Sequence, residues 1–169
     1  MFERENPLYC IDANILIQAW QKYYSPNICP TYWEVLNDLG KKGIIFIPEL
    51  VFEEIKKGED DLFIWLKQSN IPIKKIDESV TKCLKEIYEN NPNHKFLVSS
   101  NGTHSVADPW VIAHAINEKA TVVTKENKDY IKKQTKIKIP HVCENMKVKW
   151  IDDFDFIKEL NIKFSCDIR

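Results

Sequence analysis

The tightest constraint on this chain is a short apolar run, Leu8 to Ile11, that ends in an acid and passes directly into a helical pattern, Asn14 to Tyr23. A run of that length bounded in this way reads as a buried strand, and the spacing after it is that of a helix. Asp12 therefore lies in a strand-to-helix turn, the place where open α/β sheets carry their ligand chemistry.

The same alternation continues along the chain. Thr31-Tyr32-Trp33-Glu34 has the form of a capping box and opens a helix that ends near Gly40. Ile44 to Ile47 is a β-branched strand, and Pro48 starts a helix from Glu49 to Lys57 that Gly58 stops. A helix from Asp60 to Lys67 precedes a strand at Ile73 to Ile76, and Ser79 to Glu89 is helical until Asn90-Asn91-Pro92 breaks it. Phe96 to Val98 reads as a short strand inside a segment, His94 to His104, that is mainly loop. Pro109 to Lys119 is a helix, Thr121 to Val123 a strand, and Val148 to Trp150 a last strand before a helix at Phe154 to Leu160. Alternation of this kind predicts an α/β fold with a parallel sheet covered on both faces.

Length and composition set the outer bounds. With 169 residues, 44% hydrophobic and 29% charged, the chain fits a single domain over 1–169 with a real core. No apolar run reaches the length of a membrane span and the first residues lack a secretory layout, so the cytoplasm is the expected location. The five cysteines include no Cys-x-x-Cys pair, and His141-Val142-Cys143 is too small a donor group for a zinc site. A net charge of -1 gives no global basic footprint for nucleic acid. Local lysines are read as solvated faces; Lys132-Lys133 with Lys136 and Lys138 is the cluster best placed for phosphate contacts.

Acids recur where strands meet helices. In the helix after Pro48, Leu50, Val51, Phe52 and Ile55 share one apolar arc; Glu54 falls inside it and Glu53 points away. A carboxylate on that side needs a partner, either a functional one or a lysine such as Lys56 or Lys57. Asp108 before Pro109 reads as a helix N-cap, a role compatible with placing its carboxylate near Asp12. After Thr121-Val122-Val123-Thr124 come Glu126 and Asp129, either ligands or the acidic first turn of a short helix. Thr124 and Asn14 offer neutral oxygens or an amide beside these acids. Carboxylates converging at one sheet edge repel one another, and a hard divalent cation is the usual counter-ion.

Taken together, Ile11-Asp12-Ala13-Asn14, Val51-Phe52-Glu53-Glu54-Ile55, Ala107-Asp108-Pro109-Trp110 and Val123-Thr124-Lys125-Glu126 resemble the four acidic motifs of PIN domains. The resemblance spans roughly Leu8 to Tyr130. Beyond it, Ile139 to Cys143 and Phe154 to Phe164 are similar to an uncharacterised bacterial and archaeal PIN-like branch. It implies a three-layer α/β/α sandwich around a mostly parallel sheet, and a metal-dependent nuclease, most often a ribonuclease. Asp12, Glu54, Asp108 and Glu126 would be the catalytic and metal-binding residues for Mg²⁺ or Mn²⁺, with Asn14, Thr124 and Asp129 in support. RNA, or DNA, is the implied substrate, and kinship with VapC-type toxins implies an antitoxin protein or a second copy of the chain as partner. The departure is Glu126 where many PIN domains have Asp, which leaves open whether Glu126 or Asp129 completes the site. A non-catalytic binding module and a small-substrate phosphohydrolase are the alternatives; the latter lacks an Asp-x-Asp pair and a Gly-rich phosphate loop, with only 4 Gly in the chain.

Overall fold

The computed structural model describes residues 6–98, 105–128 and 137–168. Among the described residues five short strands form one parallel sheet: β1 (Tyr9–Ile11), β2 (Ile45–Pro48), β3 (Ile73–Lys74), β4 (Thr121–Val123) and β5 (Trp150–Ile151), in the order β3-β2-β1-β4-β5. The first strand lies at the centre, with Tyr9 in register with Ile45 on one side and Thr121 on the other. Every residue of β1 and β2 is buried, as a parallel strand covered on both faces requires.

The helices are α1 (Ala13–Gln18), α2 (Pro30–Lys41), α3 (Glu49–Lys56), α4 (Asp61–Gln68), α5 (Glu78–Asn90), α6 (Asp108–Glu118), α7 (Ile139–Asn145) and α8 (Asp153–Glu159). One group joins α1, α3 and α4; the other joins α5, α6 and α7, with α6 lying along β1, β2 and β4. The sheet between them makes a three-layer α/β/α sandwich. Strand order reverses between β1 and β4, so the crevice at their C-terminal ends is the switch point of the sheet.

Local chemistry explains where the elements start and stop. Asp60, Asp77 and Asp152 each accept from a backbone N–H one turn into the following helix. Gly40 is required by contact rather than by conformation: a Cβ there would stand 2.7 Å from Ile71 Cα, so α2 packs directly on the backbone leading to β3. Lys119, left-handed at φ 55°, ends α6 and turns the chain into β4.

Several expected boundaries are corrected. The Thr31–Glu34 capping box does not form, because Pro30 takes the first helical position and Cys29 is the uncapped residue before it. The first helix gives way after Gln18 to a π-helical segment, Ala19–Tyr23, where Tyr24 N–H reaches back to Ala19 O. Phe96 to Val98 is not a strand; Pro92–Leu97 is a 3₁₀ segment anchored by buried His94, whose Nδ1 lies 2.7 Å from Ile87 O and Nε2 2.9 Å from Asn145 Nδ2. Ile139–Asn145 is a helix, with Lys138 N–H donating to His141 Nδ1 at 3.1 Å and Cys143 buried in the core, so the His141–Cys143 pair is structural. Among the described residues no helix is long and apolar enough to cross a membrane.

Candidate active site

Asp12 follows β1 and caps α1. Its Oδ1 accepts from Ala13 N–H at 2.7 Å, and its Oδ2 accepts from the Thr124 hydroxyl at 2.8 Å. Thr124 directly follows β4, the neighbouring strand, so the parallel pairing itself delivers this contact. Asn14, one step into α1, continues the network: its Nδ2–H donates to Thr124 Oγ1 at 3.3 Å, and its Oδ1 accepts from Lys125 N–H at 3.0 Å. The carboxylate is buried at 3% exposure, and that burial lifts its pKa to about 7 against the opposing hydrogen bonds. Nearby Glu126 and Glu54 push it further in the same direction.

Asp108 is placed differently from its expected role. Ala107 is the N-cap of α6, Asp108 is its first residue and Pro109 its second. The turn tightens one residue early, with Asp108 N–H donating to Ser105 O and Trp110 N–H to Ala107 O. The carboxylate is thereby spared from capping and turned inward, 5% exposed. Burial, then Asp12, Glu126 and Glu54, raise its pKa to about 9.

The helical phase assigned to α3 holds. Glu53 is exposed and pairs with Lys56, whereas Glu54 is half-buried and accepts a short hydrogen bond from Ser105. Ser105 also accepts from Ala107 N–H at 3.0 Å, so one hydroxyl links Glu54 to the entrance of α6. Glu126 accepts from Ile139 N–H at 2.7 Å, joining the acid loop to α7, while its own N–H donates to Thr124 Oγ1 at 3.2 Å. Asp129 lies outside the described residues, as do Lys132, Lys133 and Lys136.

Asp12, Glu54, Asp108 and Glu126 therefore form one electrostatically coupled set, with Glu126 and Glu54 acting on both Asp12 and Asp108, and Asp12 on Asp108. Among the described residues no group of three or more His, Cys, Asp or Glu stands as a ready-made metal cage. The donors of the set are all carboxylate oxygens, the type that hard divalent cations take.

Two features escaped the sequence reading. Ser105 carried its signal in its spacing, three residues before Asp108, as in other serine-initiated turns. Lys125 forms a 2.7 Å ion pair with buried Asp153, and Asp152-Asp153 after β5 repeats the strand-then-acid pattern of the other junctions.

The backbone is similar to a chain in the crystal structure of VapBC2 from Rickettsia felis bound to a DNA fragment from their promoter. The TM-score is 0.57 and the identity 19%, covering 86% of this chain and 98% of that one. At that identity the likeness is one of fold alone, a PIN-like three-layer architecture. None of the curated proteins matches the sequence. Residues 9–164 match the sequence profile of DUF4411, a domain of unknown function, and the chain belongs to that family.

Proposed function

We propose that this protein is a divalent-metal-dependent nuclease acting on RNA, of the kind that serves as the toxin of a toxin–antitoxin pair. The observation that carries the reading is the coupled set of carboxylates at the switch point of a parallel sheet, where burial and then the neighbouring acids lift Asp12 to about 7 and Asp108 to about 9. The likeness to a VapBC2 chain supports the fold on which such a site is built.

Asp12, Glu54, Asp108 and Glu126 would hold Mg²⁺ or Mn²⁺, which supplies a water of lowered pKa and offsets charge on the scissile phosphate. The chain's own residues prepare that arrangement. Thr124 O–H and Ala13 N–H fix both oxygens of Asp12. Asn14 holds Thr124 and the Lys125 backbone, so the loop carrying Glu126 stays over the β1 end. Ser105 orients Glu54. Protons held on Asp12 and Asp108 near neutral pH would leave as a cation arrives.

Labelled RNA, DNA and a phosphomonoester, each incubated with Mn²⁺ and with chelator, test the proposal. Cleavage of RNA that chelator stops is the expected result; hydrolysis of the phosphomonoester alone would replace it with a phosphohydrolase. The absence of a preformed metal cage among the described residues favours one second reading, a binding module that keeps the fold without catalysis. Retention of RNA without cleavage at any Mn²⁺ concentration would establish that reading instead.

A further inference from the structure

Beside the carboxylates stands a group that the metal reading leaves unused. Tyr23, at the end of the π-helical segment, is 50% exposed, and Phe154, in the first turn of α8, is 49% exposed. One ammonium serves both rings: Lys125 Nζ lies 4.3 Å from the Tyr23 ring centroid and 4.8 Å from that of Phe154. This ammonium is no ordinary surface charge. The Lys125 side chain is 13% exposed and pairs at 2.7 Å with Asp153, which is 1% exposed. The Lys125 backbone is fixed as well, through its bond to Asn14, and it stands between Thr124 and Glu126. The two rings are therefore tied to the loop that carries the fourth acid.

Burying an ion pair is a poor route to stability, because desolvation consumes most of the attraction. Leaving two large rings half in water beside it forgoes the burial that usually employs them. The combination presents flat π surface on a rigid, charge-neutral base. With its charge cancelled by Asp153, Lys125 is not a phosphate clamp; exposed Lys22, next to Tyr23, is free to meet a backbone. Tyr23 also lines a cavity of about 800 Å³, together with Ile28, Lys163 and Phe164 among others.

We propose that Tyr23 and Phe154, set by the Lys125–Asp153 pair, form a stacking subsite for an unpaired base of a single-stranded nucleic acid lying across the carboxylate edge. The proposal rests on the nuclease reading and adds strandedness to it. Bases inside a duplex have both faces covered by their neighbours, whereas unpaired bases offer a face to an aromatic ring.

The test is fluorescence anisotropy of the full chain with a labelled single strand and with the corresponding duplex, in chelator, so that nothing is cut. Tyr23→Leu and Phe154→Leu should each weaken single-strand binding about tenfold, as loss of one stacked ring does. Tyr23→Phe should bind as the wild type, and melting temperatures should match throughout because both side chains are half-exposed. A fluorescent adenine analogue in the strand should be quenched by the wild type and not by the leucine variants. Leucine keeps the apolar surface, so the difference reports the ring. Equal single-strand affinity in wild type and leucine variants overturns the subsite, and the nuclease reading stands if all of them cleave RNA with Mn²⁺. Tighter binding of the duplex by the wild type also overturns it. A wild type that neither binds nor cleaves any nucleic acid removes both readings together.

Discussion

The two halves of the acidic edge are built on opposite plans. On the β1–β4 side, Asp12 has both oxygens hydrogen-bonded, and Thr124, Asn14 and Lys125 interlock around it. On the α3–α6 side, Glu54 has one hydroxyl partner in Ser105, and the Asp108 carboxylate is helped only by a backbone hydrogen bond from Ser105. The first half is held by several hydrogen bonds to its carboxylate; the second is a buried carboxyl with few of them. The difference appears in the pKa values, about 7 for Asp12 and about 9 for Asp108, although Asp12 is the more deeply buried by exposed surface. Hydrogen bonds to the charged form restrain the rise at Asp12 and are scarce at Asp108.

That contrast can be broken most forcefully by Asp12→Asn. It should abolish cleavage with the fold intact, because the amide can still occupy the cap of α1 while the anionic donor is gone. Wild-type rates in this variant, measured on labelled RNA, would remove Asp12 from the chemistry. Asp108→Asn should also abolish cleavage, but its second effect separates the halves. In chelator at pH 8 its melting temperature should rise by roughly 4 °C, as relief of about 1–2 kcal/mol does in a chain of this size. Asp12→Asn should gain less, since it also gives up charge-assisted bonds. Equal gains in the two variants would mean the halves are not built differently.

The acid–base sign follows from the same values. Both carboxyls keep their protons in the fold at pH where the unfolded chain has lost them, so the folded state binds more protons. Their contribution to stability is complete below about pH 4, the ordinary aspartate value being 3.8, and is lost as pH rises through about 7 and then about 9. Thermal melts across that range in chelator should slope downward, and saturating Mn²⁺ should flatten them. A curve without slope in chelator contradicts the raised pKa values of the two buried carboxyls.

Smaller effects sharpen the picture. Glu126→Gln should lower activity about tenfold, as loss of a group that positions a metal often does, with stability kept because Gln still accepts from Ile139 N–H. Asp129→Asn should change activity less; the reverse ranking would transfer the fourth role to Asp129. Smallest of all, Glu54→Gln should weaken Mn²⁺ binding by calorimetry while Glu53→Gln leaves it unchanged, since Glu53 is spent on Lys56 at the surface.

Periodicity made the central architecture readable because β1 and β2 are uninterrupted apolar runs and α3 has a sharp apolar arc. Glu54 was separable from Glu53 on that ground alone. Competition between neighbouring signals hid the rest. Pro30 outranked Thr31 as the start of α2, and the bond from Asp108 N–H to Ser105 O moved the cap of α6 to Ala107. Helix α7 was missed because seven residues with a proline near the start carry little periodicity. The Lys125–Asp153 pair joins positions with no local relation in sequence, and only the neighbouring ends of β4 and β5 bring them together.

The position of β1 has a consequence for the chain as it is being made. Its two partners are far apart in order of synthesis: β2 follows closely, but the Thr124 hydroxyl that holds Asp12 is 112 residues away. A nascent chain that has displayed Asp12 and Glu54 still lacks Asp108, Glu126 and the strand that completes the crevice. Long-range parallel pairing of this sort forms late. The acidic edge is thus assembled only once most of the polypeptide has emerged, and a prematurely terminated product carries half the carboxylates with nothing to gather them.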